Sequence, residues 1–518
     1  MNGRDVYGRE HVAVLTAAQA AGVDREARER FGVADRVLME NAGRAAALVL
    51  QRLFPEGRVV GVVGGGNNGG DALVLLRTLR AWGRNVAWIR AAARTPDADL
   101  LHGFDVASLD AAAAPAALAS ASVIVDGLLG TGSTGAPRGA TAELIKMLNE
   151  SGRPVLAIDV PSGVDPTTGN IPGAAVRGDV TVTFGWPKQG LLLQPGRSHC
   201  GRLIAVEIGF PPLAPARPLA AVLITPAWAA ARLPPRAPDA HKGSVGRLLV
   251  LAGSRGMAGA AALAAHGGVR AGAGLVLVAS AEANRPVLQS LVPEAVFVDR
   301  ADAALLESRA AEAAALLAGP GIGVDDDARA TLERVLAAAA GRPTLLDADA
   351  LTLVAGEKSG LERLAQSRPL LLTPHPGEMQ RLSGAAVEEI RAAPLEAARE
   401  LAERVGCVVL LKGAPSVVAA PGEPALINTV GSSDLASAGM GDQLAGTIGA
   451  FLAAGAPPRI AAALGLFYSG RAADLAARGR ALTPRDVADH LDRAFAAPGP
   501  TESSLGLAFV TFDQPPRW

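Results

Sequence analysis

The sequence predicts an α/β protein of two domains, because strand-like apolar runs alternate with Ala- and Leu-rich helical runs along the chain. The first half contains the runs GRVVGVVG, NVAWIR, ASVIVDG, RPVLAIDV and DVTVTFG. The second half contains GRLLVLAGS, GLVLVAS, RPTLLDA, RPLLLT and CVVLLKG. Prolines cluster between residues 211 and 238, where they block regular strand pairing. We therefore expect parallel sheets flanked by helices, a linker near 211–221, and a second domain from about residue 222.

Composition fits large globular domains. The chain has 518 residues, of which 49% are apolar and 19% charged, so it can bury sizeable cores. A rule of roughly 150 residues per domain allows about three domains, and two large α/β domains fit equally well. The net charge is −1 and only 3% of the residues are aromatic. With neither a basic field nor stacking platforms, nucleic acid is not an expected partner.

The remaining bulk features indicate a cytoplasmic protein. Cys200 and Cys407 are far apart in the sequence and form no metal-ligand spacing, which suits a reducing compartment. The first ten residues, MNGRDVYGRE, lack the apolar stretch of a secretory signal. No uncharged apolar run approaches the roughly 20 residues that cross a bilayer. We expect no membrane partner.

A glycine loop raises the first question about function. Gly64-x-Gly66-x-x-Gly69 satisfies the fingerprint of a dinucleotide-binding turn, and it follows the apolar run Val59–Val63. A helix is predicted over 72–83. The apolar face of this helix would consist of Ala72, Leu75, Leu76, Leu79 and Trp82.

Two details argue against a simple dehydrogenase. Asp71 is expected at the helix start, where a carboxylate would repel a docked pyrophosphate. The next strand ends in Arg90, where a ribose-binding acid would be expected. The loop therefore predicts either another nucleotide chemistry or an ordinary tight turn.

Polar residues at other strand ends favour a ligand site. Asp126 ends one predicted strand and Asp159 ends the next, and ligands of open parallel sheets bind at the carboxyl ends of strands. Asn68, Asp126 and Ser162 offer hard oxygens for a cation. The stretch Gly130-Thr131-Gly132-Ser133-Thr134-Gly135 offers amides and hydroxyls for phosphate. Any one of these carboxylates could equally be a capping or solvated residue.

These residues belong to five motifs that resemble, in order, the NAD(P)H-hydrate epimerase domain over about residues 13–212. The motifs are LMENAG from Leu38 to Gly43, GGGNNGGDALV, VDGLLGTGSTG, IDVPSGVDPTTG and TFGWPKQGLLL. The resemblance implies a Rossmann-like three-layer domain, assigned with its N-terminal helix and linker to residues 1–221. This domain would interconvert the R and S forms of hydrated NADH or NADPH at C6.

The resemblance also implies site residues. A potassium ion would be held by Asn68, Asp126 and Ser162. Asp159 would be the catalytic acid or base, unless it only caps the PSGVD turn, and Lys188 is a weaker candidate that could equally be a surface lysine. The implied contacts to the hydrate are Asn67, Asn68, Gly69, Gly70, Asp71, Gly130, Thr131, Gly132, Ser133, Thr134, Gly135, Ala136 and Asp159.

The second half has its own chemistry-bearing stretch. Gly439-Met440-Gly441-Asp442 opens the helical run QLAGTIGAFLAAG, so free amides can neutralise phosphate charge. Asp442 can deprotonate an attacking hydroxyl, although an acid in a first helical turn is also an ordinary cap. The stretch LLKGAPSVV indicates a nucleotide-phosphate turn. His375, between two prolines in TPHPGEM, is expected to be held rigidly in a loop.

These stretches resemble the ADP-dependent NAD(P)H-hydrate dehydratase of the ribokinase-like superfamily over about residues 222–495, and we assign 222–518 to that domain. The resemblance implies hydrate contacts from Ala260, Gly321, Gly323, His375 and the catalytic Asp442. It implies nucleotide contacts from Lys412, Gly413, Ala414, Pro415, Ser416, Gly439 and Gly441. Members commonly have an asparagine in the turn where this chain has 429–433 (TVGSS), so we expect weakened nucleotide contact there.

The two resemblances together imply a bifunctional repair enzyme. Its substrates would be the hydrates of NADH and NADPH, with ADP as co-substrate, a magnesium ion bridging the phosphates and a potassium ion in the first domain. A ribokinase-like small-molecule kinase with a nucleotide-binding first domain remains an alternative, as does a non-catalytic first domain. A homo-oligomer is possible. The tail after about residue 496 resembles neither family and is expected to be poorly ordered.

Overall fold

The computed structural model describes residues 11–91, 98–213, 218–356, 358–497, 499 and 511–512. The chain divides into two compact units, Met1–Val222 with Pro500–Trp518, and Leu223–Gly499. The expectation had assigned the whole tail to the second domain. The structure differs because Thr511–Phe512 pair antiparallel with Leu203 and Ile204, inside the first unit. The rest of the tail after residue 499 lies outside the described residues.

The first unit is a mostly parallel sheet with helices. The strands of this sheet are β2 (Val59–Val63), β3 (Val86–Arg90), β4 (Ala107–Leu109), β5 (Val123–Gly127), β6 (Val155–Ile158), β7 (Val180–Phe184) and β8 (Arg202–Val206). Outside this sheet, β1 (Ala13–Val14) pairs antiparallel with β9 (Ala221–Leu223), which contains the division between the units. Its helices are α1 (Ala17–Glu29), α2 (Asp35–Leu53), α3 (Asn67–Ala81), α4 (Ala114–Ala119) and α5 (Gly139–Glu150).

The strand order of this sheet places a binding crevice. The order is β8-β7-β6-β5-β2-β3-β4, with all neighbours parallel. From β2 the chain moves to β3 on one side, while β5 lies on the other side. This reversal is a topological switch point, and ligands bind outside the carboxyl ends of the strands at such a point. The loops after β2 and β5 therefore meet at the expected binding edge.

Alternation along β2 explains why the sheet has a core on each face. Successive strand residues point to opposite faces. Val59 and Val63 belong to one apolar cluster, which includes side chains of α2 and α3. Val60 and Val62 belong to the other cluster, which includes side chains of α4 and α5. Both faces are buried, which explains the continuous apolar run in the sequence.

Helix α3 differs from the prediction. It begins at Asn67, five residues before the predicted start, so that Gly69, Gly70 and Asp71 lie inside the helix. Glycine has a low helix propensity, but packing on the sheet overrides it here. Trp82 was expected on the buried face, yet it follows the helix and its side chain is 42% exposed.

The second unit is built on a second, mostly parallel sheet. Its strands are β10 (Arg247–Leu251), β11 (Leu275–Ser280), β12 (Val296–Asp299), β13 (Ala315–Ala318), β14 (Thr344–Leu346), β15 (Leu370–Leu372), β16 (Val408–Leu411), β17 (Ser416–Ala419) and β18 (Ala425–Asn428). The strand Thr511–Phe512, the last of the chain, is β19 and belongs to the first unit.

Helices cover this sheet. They are α6 (Pro226–Ala230), α7 (Ala258–Arg270), α8 (Arg285–Leu291), α9 (Ala303–Glu312), α10 (Asp326–Ala338), α11 (Asp349–Ala355), α12 (Lys358–Ser367), α13 (Pro376–Ser383), α14 (Val387–Ala392), α15 (Pro394–Val405), α16 (Met440–Ala453), α17 (Pro458–Ala476), α18 (Pro484–Asp489) and α19 (Leu491–Ala496).

The second sheet also has a switch point. Its order is β18-β17-β16-β15-β14-β13-β10-β11-β12, and the neighbours from β16 to β12 are parallel. β17 and β18 form an antiparallel extension. The chain passes from β10 to β11 on one side, while β13 lies on the other side. The prediction of an α/β protein with parallel sheets is confirmed, and loops after β10, β13 and β14 reach the binding edge.

Helix α16 is fixed by a close approach to α7. A Cβ atom at Gly446 would lie 1.9 Å from the carbonyl oxygen of Ala264, so only glycine permits this crossing. A Cβ at Gly267 would similarly lie 2.4 Å from the oxygen of Gln443. This contact sets the position of the first turn of α16, which carries Asp442.

The helices of the described part of the chain include none that is long and apolar enough to span a membrane.

Candidate active sites

The floor of the first site is formed by the loops after β2 and β5. Gly64 touches the second loop so closely that a Cβ atom there would lie 2.0 Å from the carbonyl oxygen of Leu128. Gly66 follows in an extended conformation and precedes the first turn of α3. The glycine loop is therefore a structural requirement of the crevice, and it also leaves the first amides of α3 open.

A cavity of about 530 Å³ opens above this floor. It is lined by residues from the glycine loop, α3, the loop after β5, and the segments after β6 and β7. The sequence-predicted site residues that line it are Asn67, Asn68, Asp71, Gly130, Thr131, Gly132, Ser133, Asp159 and Lys188. A volume of this size falls in the range of small-molecule and cofactor sites.

Some predicted contacts lie elsewhere. Gly69 and Gly70 are buried inside α3, and a Cβ at Gly70 would meet the side chain of Met39. Gly135 borders a smaller neighbouring cavity. Thr134 and Ala136 are not among the residues that line the 530 Å³ cavity. For these five residues, the structure offers no direct access to a ligand in that cavity.

Asp159 is held by a buried network rather than by the turn that follows it. Its Oδ1 accepts hydrogen bonds from Lys188 Nζ at 2.5 Å, from Thr183 Oγ1 at 3.2 Å and from the amide of Phe184 at 3.2 Å. The backbone of Asp159 has φ = 63°, a strained conformation for a non-glycine residue. The alternative of a cap on the PSGVD turn is therefore not what the side chain does.

Lys188 is not a surface lysine. It is 4% exposed, and its ammonium group also donates to Thr183 Oγ1 at 3.1 Å and to the carbonyl oxygen of Phe184 at 2.8 Å. An ammonium group has three hydrogens to donate, so Asp159, Thr183 and Phe184 engage all of them. Lys188 therefore orients Asp159 and keeps its charge compensated.

Two further carboxyls face the cavity. Burial holds the pKa of Asp71 well above its usual range, and the negative charges of Asp159 and Asp24 add to this rise. Burial likewise raises the pKa of Asp24, with Lys188 opposing the rise. Asp24 lies on α1, and no motif in the sequence identified it.

Asp126 and Ser162 lie below the floor of the cavity. Asp126 is fully buried; its Oδ1 accepts from Ser162 Oγ at 2.6 Å and its Oδ2 from the Ser162 amide at 2.9 Å. Asn68 Nδ2 donates to the carbonyl oxygen of Leu129 at 2.9 Å, and Leu129 N donates to Ser162 Oγ at 2.9 Å. The three predicted ion ligands are thus brought into one network.

The electrostatics of this network suit a cation. Burial raises the pKa of Asp126 to about 6, against the opposing effect of hydrogen bonds from Ser162 and Leu128. Nearby cationic side chains are not among the causes. A buried carboxylate surrounded by neutral oxygens is the kind of environment that a hard cation stabilises.

The second site is centred on the first turn of α16. Burial raises the pKa of Asp442 to about 7, with the negative charges of Asp347 and Asp349 adding to the rise and Lys412 opposing it. Within the described residues, the Asp442 carboxyl makes no hydrogen bond, so it does not cap α16. Gly439, with φ = 83°, allows the chain to enter the helix.

Lys412 links the strand ends of this site. Its Nζ donates to Asp347 Oδ1 at 2.7 Å and lies 3.9 Å from Glu378 Oε2. Burial lowers the pKa of Lys412, but the charges of Asp347 and Glu378 outweigh this and the pKa is raised, so the ammonium stays protonated. A Cβ at Gly441 would lie 3.5 Å from Lys412 Nζ, which places this cation beside the free amides of α16.

The other predicted hydrate contacts surround the same carboxylates. Gly323 N donates to Asp349 Oδ2 at 2.9 Å, and a Cβ at Gly321 would lie 3.2 Å from Ala260 Cβ. Both glycines have positive φ, 61° and 91° for Gly321 and Gly323. Asp349 thus ties the loop after β13 to the start of α11.

His375 lies at the end of the loop before α13, as expected, and its side chain caps that helix. Its Nδ1 accepts from the amide of Gly377 at 3.0 Å, and its own amide donates to Glu378 Oε2 at 2.8 Å. This reciprocal pair is a capping box at the start of α13. The His375 side chain remains 53% exposed, so its Nε2, 3.4 Å from Glu378 Oε1, stays accessible.

The predicted nucleotide turn closes on itself. Gly413 N donates to Ser416 Oγ at 3.2 Å, while Ser416 Oγ donates to the oxygen of Gly413 at 3.0 Å. Ala414 and Pro415 lie between them. In the turn where family members commonly have asparagine, Ser432 Oγ accepts from the amide of Asp434 at 3.2 Å and so caps a short helical turn.

Asp347, Glu378 and Asp349 were not predicted from the sequence as site residues. Asp347 ends β14 and is buried, so the rule that identified Asp126 and Asp159 at strand ends would have found it. Glu378 sits in the TPHPGEM stretch that was already singled out. For Asp349, only the three-dimensional approach of Gly323 reveals a role.

The fold and the two sites define a protein class: a two-unit α/β enzyme, with acidic groups and open helix amides at the switch point of each sheet. A family profile described as NAD(P)H-hydrate dehydratase matches residues 248–493. A second profile, described as YjeF-related protein N-terminus, matches residues 35–190.

Full-length relatives give the particular family. The chain is 37% identical over 508 residues to the bifunctional NAD(P)H-hydrate repair enzyme Nnr of Thermofilum pendens, covering 92% of this chain and 94% of the relative. It is 36% identical over 466 residues to the enzyme of that name from Escherichia coli, covering 88% of each. The chain belongs to the family of bifunctional NAD(P)H-hydrate repair enzymes.

Part of the chain is also similar in sequence to a protein of solved structure. The ADP/ATP-dependent NAD(P)H-hydrate dehydratase from Bacillus subtilis, co-crystallised with ATP and Mg²⁺, is 31% identical and has a TM-score of 0.46. It covers 52% of this chain, and the match covers 96% of that protein.

Proposed function

We propose that this chain repairs hydrated NADH and NADPH in two steps. The first unit interconverts the R and S forms of the hydrate at C6. The second unit uses ADP to dehydrate the S form to NADH or NADPH, and it releases AMP and phosphate. The observation that supports this proposal is that each unit has its own group of carboxyls at the switch point of its sheet, where ligands of open α/β sheets bind.

In the first unit, different walls of the cavity would hold different parts of the substrate. The loop after β5, from Gly130 to Ser133, would hold phosphates with its amides and hydroxyls, while Asp159 and Asp71 would face the hydrated ring. A potassium ion held by Asn68, Asp126 and Ser162 would add a positive charge below the phosphate-binding loop. This assignment agrees with the buried, uncompensated carboxylate of Asp126.

In the second unit, Asp442 would remove the proton of the C6 hydroxyl. A carboxylate whose pKa is about 7 is poised to accept a proton near neutral pH. The hydroxyl oxygen would attack the β-phosphorus of ADP, and the bond from that phosphorus to the bridging oxygen would break to release AMP. Phosphate then leaves from C6 with loss of a ring proton, which restores the dihydropyridine.

Charge on the transferring phosphoryl group would be met by the amides of α16 and by Lys412. Gly441 would leave room for the nucleotide beside Lys412 Nζ, since a side chain at this position would approach that ammonium group. The turn from Gly413 to Ser416 would hold the rest of the nucleotide. A magnesium ion, when bound, would neutralise part of the negative charge on the nucleotide phosphates.

The experiment is to incubate the purified chain with both hydrate epimers, with and without ADP, and to follow each epimer by chromatography. We expect interconversion without ADP, and formation of NADH and AMP in equal amounts with ADP. Asp442→Asn should reduce dehydration by at least about 100-fold, because the base is lost, while epimerisation continues.

A matched control is Asp326→Asn. Asp326 also lies in the first turn of a helix, α10, but it is exposed and away from the site. If Asp442 were only a favourable helix charge, the two variants would behave alike. If a stable phosphorylated product accumulated instead of NADH, the second unit would be a small-molecule kinase.

A further inference from the structure

Asp71 and Asp159 face one cavity but have opposite surroundings. Every hydrogen bond that the side chain of Asp159 accepts within the described residues goes to its Oδ1, which leaves Oδ2 for a ligand. The cation that stabilises its negative charge is Lys188, at 2.5 Å. The ion pair with Lys188 and the open Oδ2 therefore suit Asp159 to accept a proton from a ligand.

Asp71 has no such support. It is 9% exposed, lines the cavity, and its carboxyl makes neither a hydrogen bond nor an ion pair with any residue that the structure describes. Burial and the charges of Asp159 and Asp24 hold its pKa well above the usual range. Asp71 therefore enters a reaction as a neutral carboxyl that can give up a proton.

Lys188 cannot take the role of the donor. Its three ammonium hydrogens are directed at Asp159, Thr183 and Phe184, so none is left for a ring in the cavity. The charged groups that face this cavity are Asp24 and Arg28 from α1, Asp35 from α2, Asp71 from α3, Asp159 after β6 and Lys188 after β7. Asp71 lies in α3, next to the loop after β2, and Asp159 lies in the loop after β6.

We propose that Asp71 and Asp159 catalyse epimerisation together, as acid and base, by opening and reclosing the hydrated ring. This inference rests on the proposed epimerase function of the first unit. The C6 centre of the hydrate carries both a hydroxyl and the ring nitrogen N1, so it is a hemiaminal. A hemiaminal opens when one group removes the hydroxyl proton while another protonates the nitrogen.

Ring opening needs no reactant other than the hydrate and the two carboxyl groups. Asp159 Oδ2 takes the proton of the C6 hydroxyl, and the oxygen forms a double bond to C6. The C6–N1 bond breaks, its electron pair goes to N1, and Asp71 supplies the proton that N1 receives. Rotation about C5–C6 presents the other face of the aldehyde to N1. Reclosure reverses both proton transfers and leaves the other epimer.

The first test uses Asp71→Asn, which keeps the shape but cannot release a proton. We expect interconversion without ADP to fall by about 100-fold or more, the contribution typical of a general acid. In the wild type, kcat/KM for epimerisation should decline as the pH rises through the raised pKa of Asp71, and Asp71→Glu should restore part of the rate together with this decline. Asp105→Asn, whose side chain is 93% exposed, is the matched control and should epimerise like the wild type.

Folding is checked in the same molecule. Dehydration of the S epimer with ADP should be unchanged in Asp71→Asn, because that reaction is assigned to the second unit. If the variant epimerised within about threefold of the wild-type rate, Asp71 would not be the acid. If the wild type itself did not interconvert the epimers, the proposed epimerase function would fail, which is a different outcome.

An isotope measurement separates ring opening from loss of hydroxide. In water enriched in ¹⁸O, ring opening keeps the original oxygen on C6, so interconversion should initially run faster than ¹⁸O uptake. Loss and return of hydroxide would instead introduce one solvent oxygen for each interconversion. That second result would overturn the proposal even if Asp71→Asn proved inactive.

Discussion

Asp126 is a buried carboxylate, and no cationic side chain is among the groups that shift its pKa. Its pKa is about 6 in the folded protein, above the ordinary value of an aspartate in an unfolded chain. The protonated form is thus favoured by folding. The stability from this effect is full at pH below about 4 and is lost as the pH rises through about 6.

A bound potassium ion should reverse this loss. We expect potassium chloride to raise the melting temperature of the chain more at pH 8 than at pH 5, because the ion binds the ionised carboxylate. Thermal unfolding in potassium chloride or choline chloride at equal ionic strength measures this difference. Asp126→Asn should abolish the potassium-specific shift. An equal shift at both pH values would argue against an ion at Asp126.

The turn from β2 into α3 depends on glycine for packing. Gly64 touches the carbonyl oxygen of Leu128, where an added methyl group would overlap at 2.0 Å. Gly64→Ala should therefore lower the free energy of unfolding by about 3 kcal/mol, in the upper range of overpacking effects, because β2 and the loop after β5 must separate. A urea titration followed by circular dichroism measures this loss.

Gly66 supplies the comparison within the same loop. A Cβ atom there would meet nothing within 4 Å, and the residue does not need positive φ. Gly66→Ala should cost no more than about 1 kcal/mol, the usual scale of a change at an N-cap. Equal losses in the two variants would mean that chain flexibility, not the contact with Leu128, explains the glycines.

At the scale of helices and strands, the sequence predicted those elements that depend on a local pattern of apolar residues. Ten apolar runs corresponded to strands, because buried parallel strands are continuously apolar. The strands β4 and β12 are short and mostly not buried, so no long apolar run marks them, and the start of α3 was hidden by glycines that only tertiary packing tolerates. Asp159 was identifiable at a strand end, whereas Asp24, on the helix α1, needed the fold to bring it to the cavity.

At the scale of the whole molecule, one chain carries a site for each of two consecutive reactions. If the second unit accepts one epimer, a mixed pool of hydrate is fully repaired only while the first unit keeps converting the other. Asp159→Ala should therefore give a biphasic reaction with ADP, in which the preferred epimer disappears quickly and the rest waits for slow spontaneous interconversion. The wild type should clear the pool in one phase.

Chromatography that resolves both epimers follows this prediction directly. Lys146→Ala is a suitable control, since Lys146 is exposed and its ion pair with Glu150 lies on the surface of α5. This variant should clear the pool as the wild type does. Equal disappearance of both epimers in Asp159→Ala would remove Asp159 from the epimerisation step.

The contact between Gly64 and Leu128 also bears on how inactive descendants of such a chain would look. Substitution of Asp71 and Asp159 would end the reaction but would leave that contact intact, so selection for folding alone would preserve the glycines. The glycine loop would persist after activity was lost. An inactive homologue would therefore still contain the sequence pattern of a nucleotide-binding loop. Asp71 and Asp159, and not the glycines, are therefore the residues that distinguish active from inactive homologues.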